Sequence, residues 1–449
     1  MRTLPLIRLL EIGLACAALL LAAKPGAKCD CLRLADGSPL VGVYFFPHWW
    51  EPWKSSDERI LQDFARLKSM GFNTVFVDHE WSQMIDGEWK WLDRCHRLAK
   101  QGAMRILPWL SAKVWLDIAT SDGRRELVKK MYGVQLEMGV GPDGKPNRTK
   151  PYDPAVIETG VRYCSDYIDR YAKDGALLTV LRDGKPRPVV ALSCELEWSG
   201  SCDAVTQQMF RLWLTAKYAG DIAKLNKAWG TSFAGFDAID ICDQSTFDLA
   251  KHIEGKSAHP NAVEDHVEFR SQVIDTALAQ IKRRLVAKYP DLLIAAELPY
   301  QFECAHPHAV GYRINGGSNP SSASHADIVV IRSTDTLTPA EEKALVDHKK
   351  ATGQQVILTY RTHTSWGRML LDGSRSVPEM LKLFADQAAR AADGFGFYSW
   401  NEMVDTHVVA DPDPPFNPNA RIGQAESDAV IKSLQPMAAR FTALKNQNR

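Results

Sequence analysis

Val41-Gly42-Val43-Tyr44-Phe45-Phe46, then Ser56 to Met70, then Thr74-Val75-Phe76-Val77-Asp78, is the stretch that decides the fold. Its two ends are short runs of apolar, β-branched and aromatic residues, the composition of strands. Between them Ile60, Leu61, Phe64, Leu67 and Met70 recur at helical spacing behind a Ser-Asp start, and Gly71 supplies the stop. Strand, helix and strand in this order make a βα unit feeding a parallel neighbour.

The same alternation runs on through Arg105 to Leu110, Val189 to Ser193, Leu292 to Ala296, Asp327 to Arg332, Val356 to Tyr360 and Phe395 to Trp400, eight strands in all. Amphipathic segments follow the sixth strand (Pro339 to Lys350) and the seventh (Pro378 to Ala392), and Ala425 to Lys445 reads as a closing helix. Eight strands alternating with helices close most economically into an α/β fold of the (β/α)8 or TIM barrel type, which needs roughly 250 residues and expands by loop insertion. The surplus of this 449-residue chain lies in two intervals, after strands three and four. The first holds a Gly/Pro/Asn-rich stretch, Gly139 to Pro154, and a hairpin turn at Arg182-Asp183-Gly184-Lys185. The second holds an aromatic insertion and a long helix, Val263 to Tyr289. Residues 37–449 are expected to form one barrel domain.

Residues 1–23 read as a secretory signal: Arg2 and Arg8 precede an apolar run from Ile12 to Ala23, too short to cross a bilayer. A short linker, 24–36, would follow, and the mature chain is expected to be secreted or periplasmic, with no membrane attachment. The nine cysteines are too scattered for a dense disulfide scaffold or a paired zinc site, although export permits disulfides. The 54 Lys plus Arg balance the 54 Asp plus Glu, which argues against a nucleic-acid partner. The thirteen Trp are concentrated early, with Trp49, Trp50, Trp53, Trp81, Trp89, Trp91, Trp109 and Trp115 in the first 115 residues.

Polar residues of a parallel barrel that carry chemistry sit at the C-terminal ends of strands. Those positions hold Trp49 and Trp50 after strand one, Trp81 after strand two, Glu195, Glu197 and Trp198 after strand four, Glu297 and Tyr300 after strand five, Arg361 after strand seven, and Trp400, Asn401, Glu402 and Asp405 after strand eight. Indoles and carboxylates converging on one mouth suit a neutral oligo- or polysaccharide, because flat rings stack on sugar C–H faces and carboxylates accept hydroxyl hydrogen bonds. Paired acids there also suit glycosidic cleavage. Glu195 is two residues from Glu197 and reads as an ion-pair partner or a substrate contact.

Phe210-Arg211-Leu212-Trp213-Leu214, Lys217-Tyr218 and Leu225-Asn226-Lys227-Ala228-Trp229-Gly230-Thr231-Ser232-Phe233 resemble the segment after strand four in family forty-two β-galactosidases of the clan-A glycoside hydrolases. The resemblance implies that Glu197 is the general acid/base, with Leu196 where the family has Asn. It also implies a nucleophilic Glu at the end of strand seven, but Tyr360-Arg361-Thr362-His363-Thr364 contains no carboxylate. Ser399-Trp400-Asn401-Glu402-Met403-Val404-Asp405-Thr406-His407 resembles the two-acid signature of α-1,3-glucanases and, more loosely, of endo-α-mannosidases. On that resemblance Glu402 ranks slightly ahead of Glu297 as the second catalytic carboxylate, with Asp405 supporting. The alternative expectation is a catalytically silent carbohydrate-binding barrel.

Asp78-His79-Glu80 and His306-Pro307-His308 are the metal-like groupings, but only His48 stands where hydrolase barrels place a His pair, so no metal is expected. No Gly-rich phosphate loop follows a strand and Gly-x-Ser-x-Gly is absent, so no cofactor and no serine-esterase chemistry are expected.

Overall fold

The structure, a computed structural model, describes residues 31–46, 56–78, 89–110, 116, 118, 123–193, 196, 198, 200–298, 323–333, 336–361, 376–404 and 424–447. Its strands β1 (Val41–Tyr44), β2 (Thr74–Asp78), β3 (Arg105–Trp109), β4 (Lys185–Ser193), β5 (Leu293–Leu298), β6 (Ile328–Ser333), β7 (Gln355–Arg361) and β8 (Gly394–Tyr398) form a closed parallel barrel. β8 returns to β1 with Val41 opposite Phe395, and β3 meets β4 at Trp109 and Ala191. The chain is therefore a (β/α)8 barrel with helices outside.

The first crossover helix, Asp57–Ser69, shows why the pattern folds this way. Ser56 caps it by accepting from the Arg59 amide, Asp57 and Glu58 occupy the positive end, and Arg66 and Lys68 the negative end. Ile60, Phe64 and Leu67 face the sheet and are buried. Helices Pro339–Thr352 and Val377–Ala391 each begin with a capping box and Pro in the first turn.

β4 begins earlier than the apolar run indicates, because an antiparallel strand, Thr179–Arg182, pairs with Lys185 to Pro188. Asp183 (φ 54°) and Gly184 (φ 71°) make the tight turn between them. β8 ends at Tyr398 rather than Trp400, since Trp400 opens a short helix, Trp400–Val404. The insertion after β3 contains helix Arg124–Tyr132, a two-stranded ribbon (Met138–Val140 with Pro146–Thr149) and helix Pro154–Tyr171. The insertion after β4 contains helices Ala204–Lys217, Ile222–Trp229, Leu249–Ile253 and Pro260–Lys288.

The described part of the expected linker packs onto the N-terminal end of the barrel. Leu32 and Leu34 are buried, the Leu32 amide donates to the Asp393 carbonyl, and the Leu181 amide donates to the Arg33 carbonyl. Arg33 also donates to the Lys445 carbonyl, so this segment joins the closing helix Gln424–Gln447 to the barrel.

Alternate strand residues fill the interior: Leu40, Tyr44, Phe76, Leu107, Trp109, Val189, Ala191, Leu293, Ala295, Ile328, Val330, Ile357 and Tyr398 form one buried cluster. Phe76 occupies the axis, and Gly42 and Gly396 leave room for its ring. A Cβ at Gly396 would stand 2.7 Å from Phe76 Cε2, and one at Gly42 would overlap the ring still more. Tyr44 and Trp109 hold Phe76 in place. Gly42→Ala is therefore expected to cost about 2–3 kcal/mol by overpacking. Urea unfolding measures it, and a loss under about 0.5 kcal/mol would mean that the ring has space to move.

Candidate active site

The topmost interior layer of the barrel carries a polar cluster. From β1, Tyr44 Oη donates to Glu297 Oε1 on β5 at 2.6 Å. From β6, Arg332 Nε lies 3.0 Å from the same oxygen. The Arg332 guanidinium stands 5.4 Å from the centroid of the Tyr398 ring on β8, which lies 4.8 Å from Tyr44. Trp109 on β3 stacks on Tyr44 at 5.9 Å. Glu297 and Arg332 are 2% and 3% exposed, so the ion pair is sealed among aromatic rings. Among the described residues Glu297 Oε2 and Trp109 Nε1 find no hydrogen-bond partner.

Alternation brings these five side chains together: each lies on the inward face of its strand near the C-terminal end. Of them, only Glu297 stood out as a strand-end acid. Arg332 had a legible signal, a lone cation in the otherwise apolar strand Ile328-Val329-Val330-Ile331-Arg332. Tyr44, Trp109 and Tyr398 become visible by counting back in twos from the strand ends.

Trp49, Trp50, Trp81, Glu195, Glu197, Tyr300 and Asp405 lie outside the described residues, as do His79, Glu80, His306 and His308. For Arg361 and Glu402 the backbone alone is placed, at the end of β7 and in the helix Trp400–Val404. β7 is flanked by β6 and β8 and is the seventh barrel strand. Its lack of a carboxylate is therefore real and not a register error.

Two expected cleft-lining indoles are placed elsewhere. Trp400 is fully buried in the layer between sheet and helices, with the Arg66 guanidinium 5.2 Å from its ring. Trp198 is fully buried against the insertions, edge-on to Tyr152 at 6.4 Å. Both bury large apolar area outside the barrel, the more favourable use of an indole where a helix layer covers it. Asn401 is also buried, and its Oδ1 accepts from the Phe46 amide at 2.7 Å, tying the end of β8 to the end of β1. Behind Trp198, the buried Arg270 donates to the Trp198 carbonyl at 3.4 Å. Burial, and then the Arg270 charge, push the neighbouring His266 imidazole well below its ordinary value, so it is neutral.

The segment after β4 has a structural explanation. Tyr218 Oη (2.6 Å), Trp229 Nε1 (2.8 Å) and Lys217 Nζ (2.8 Å) converge on the Asp265 carboxylate of helix Pro260–Lys288. Asn226 clamps the turn, accepting from the Thr231 hydroxyl and the Phe233 amide and donating to the Phe233 carbonyl. Gly230 ends its helix at φ 70°. Trp213 donates to Gln272 and packs on Phe269. Asp265→Ala would strand these donors and is expected to cost about 3 kcal/mol, read from the urea midpoint. An unchanged midpoint would mean that the network contributes nothing to holding the insertion. Cys202 and Cys242 form a disulfide across the same insertion.

Among the described residues no group of three or more His, Cys, Asp or Glu side chains is placed to hold a metal, and no helix is long and apolar enough to cross a membrane.

The family model of the β-galactosidases, glycoside hydrolase family 42, matches residues 188–405. The match spans Glu195, Glu197, Glu297, Glu402 and Asp405. Similar solved structures include the catalytic domain of the β-amylase of Paenibacillus polymyxa, at 12% identity and TM-score 0.56, covering 88% of this chain and 98% of that one. The β-galactosidase of Rahnella sp. R3 is 15% identical with TM-score 0.58, covering 93% of this chain and 58% of that one. The β-galactosidase of Bacillus circulans is 16% identical with TM-score 0.53, covering 89% and 56%. The chain thus spans less than three-fifths of the length of these two β-galactosidases. At such identities the likeness establishes the fold. No curated protein matches the chain. Fold and family match together support the class of glycoside hydrolases. Within that class, the chain resembles the β-galactosidases of family 42.

Proposed function

We propose that the chain is an exported glycoside hydrolase that cleaves O-glycosidic bonds of a neutral oligo- or polysaccharide with a pair of carboxylates. The observation that carries this reading is the family match over 188–405, a span that includes Glu197, the residue to which the sequence resemblance gives the role of general acid/base. Glu197 protonates the leaving oxygen, and a carboxylate from the end of strand five or strand eight acts at the anomeric carbon. Export is supported by the leader-like residues 1–23 and by the Cys202–Cys242 disulfide, which belongs to an oxidising compartment. The even charge balance favours neutral sugars.

The test is release of reducing ends by the full chain from a panel of aryl glycosides, oligosaccharides and polysaccharides. Turnover of at least one is expected. Leu196 in place of Asn and the missing strand-seven Glu favour a second reading, a silent carbohydrate-binding barrel. Glycan binding across that panel with no turnover would select it.

A further inference from the structure

The segment that follows strand four is held by the long helix of its own insertion, by the ribbon of the insertion before it and by a disulfide. Trp198 is fully buried, and its carbonyl accepts from Arg270 of helix Pro260–Lys288 at 3.4 Å. Gly200, at φ 89°, passes so close to the same helix that a Cβ there would stand 3.4 Å from Arg270 Cδ. Ser201 is buried; its Oγ accepts from the Val140 amide at 2.8 Å and donates to Asp203 Oδ2 at 2.6 Å. The Cys202 amide donates to the Val140 carbonyl at 2.7 Å, and its sulfur is bonded to Cys242. Asp203 also accepts from Tyr152 Oη, and the Tyr152 ring stands edge-on to Trp198. We propose that this brace sets the position of the acid/base Glu197, the residue before Trp198, with Ser201 and Arg270 as its positioning residues. The inference rests on the reading of Glu197 as proton donor and deepens it.

The ribbon Met138–Val140 with Pro146–Thr149 approaches Ser201 too closely for a side chain at residue 139. A Cβ at Gly139 would lie 2.7 Å from Ser201 Oγ, 2.9 Å from Ser201 Cβ and 3.2 Å from the Arg148 carbonyl oxygen. The two insertions already share an apolar cluster that includes Leu196 and Trp198, the neighbours of Glu197 in sequence. Apolar contact is non-directional and holds the insertions together without fixing their register. The hydrogen bonds of Ser201, Cys202 and the Trp198 carbonyl add direction, and a displacement of Trp198 passes to Glu197 through one peptide bond. Segments past strand ends are ordinarily the mobile part of a barrel, whereas an acid that protonates a leaving oxygen must stand within hydrogen-bond reach of it. Catalytic groups need placement to within about 0.5 Å, and a misplacement of about 1 Å costs on the order of a hundredfold.

The experiment uses the full chain and two substrates of one sugar, an alkyl glycoside and a 2,4-dinitrophenyl glycoside. Ser201→Ala is expected to lower kcat/KM on the alkyl glycoside roughly tenfold or more, through kcat and not KM. On the dinitrophenyl glycoside, whose leaving group departs without protonation, kcat/KM is expected to stay within about threefold of wild type. Gly139→Ala, which forces the ribbon away from Ser201, is expected to show the same pattern, and Arg270→Lys to retain more activity on the alkyl glycoside than Arg270→Met. If the Arg270 variants do not fold, Ser201→Ala and Gly139→Ala carry the test. A residue that only stabilises the fold lowers the urea midpoint and leaves the ratio of the two substrates unchanged. An equal loss on both substrates, or wild-type kcat/KM on the alkyl glycoside from folded Ser201→Ala and Gly139→Ala, would overturn the brace. A Glu197→Gln loss that is the same for both leaving groups overturns instead the acid/base reading beneath it, and a wild-type chain that hydrolyses nothing overturns the glycosidase reading itself.

Discussion

Glu197→Gln is expected to lower kcat/KM on an unactivated glycoside by roughly a hundred- to ten-thousandfold, the usual contribution of a general acid/base. The amide has the shape of the carboxyl group but no proton to give the leaving oxygen. The deficit should therefore follow the aglycone. It is largest for an alkyl or sugar leaving group and smallest for 2,4-dinitrophenolate, which departs without protonation. A variant within about tenfold of wild type on every substrate would remove Glu197 from the chemistry. A uniform loss regardless of leaving group would mean that the residue binds substrate rather than donating a proton.

The second large effect is on stability. The Cys202–Cys242 bridge closes a loop across a sequence separation of 40, for which the chain-entropy account gives about 4 kcal/mol. Local structure concentrates the loss. The Cys202 amide donates to the Val140 carbonyl at 2.7 Å, and Ser201 Oγ accepts from the Val140 amide at 2.8 Å, which joins the two insertions. Asp203 caps helix Ala204–Lys217 through the Val205 and Thr206 amides. The double variant Cys202→Ser, Cys242→Ser is expected to unfold at markedly lower urea than the oxidised chain, and reductant should act on the wild type alone. Equal midpoints, or two free thiols at these positions in the exported chain, would contradict the bridge.

The fold was legible because its signal is repetitive and local. Thr74–Asp78 is the strand its residues describe, and the crossover helices after β1, β6 and β7 lie where apolar spacing and Ser/Thr starts put them. The misjudged boundaries have local causes. Pro186 and Pro188 hid the first half of β4, and the apolar Trp400 reads as strand until the helix it opens is seen. The site was only half legible. A strand-end inventory finds acids such as Glu297, but it does not say which way an indole turns. Trp198 and Trp400 turn to the helix layers. Nor does it show that Tyr44, 253 residues from Glu297 in sequence, is its hydrogen-bond donor. Such contacts are set by barrel closure and not by neighbouring sequence.

The most direct measurement is a crystal structure of Glu197→Gln with a bound oligosaccharide substrate. The account predicts the sugar at the C-terminal mouth of the barrel, the residue 197 side chain within hydrogen-bond reach of the scissile oxygen, and a second carboxylate, from the end of strand five or strand eight, beside the anomeric carbon. A sugar bound at that mouth with neither residue 197 nor any second carboxylate beside the scissile bond would contradict it.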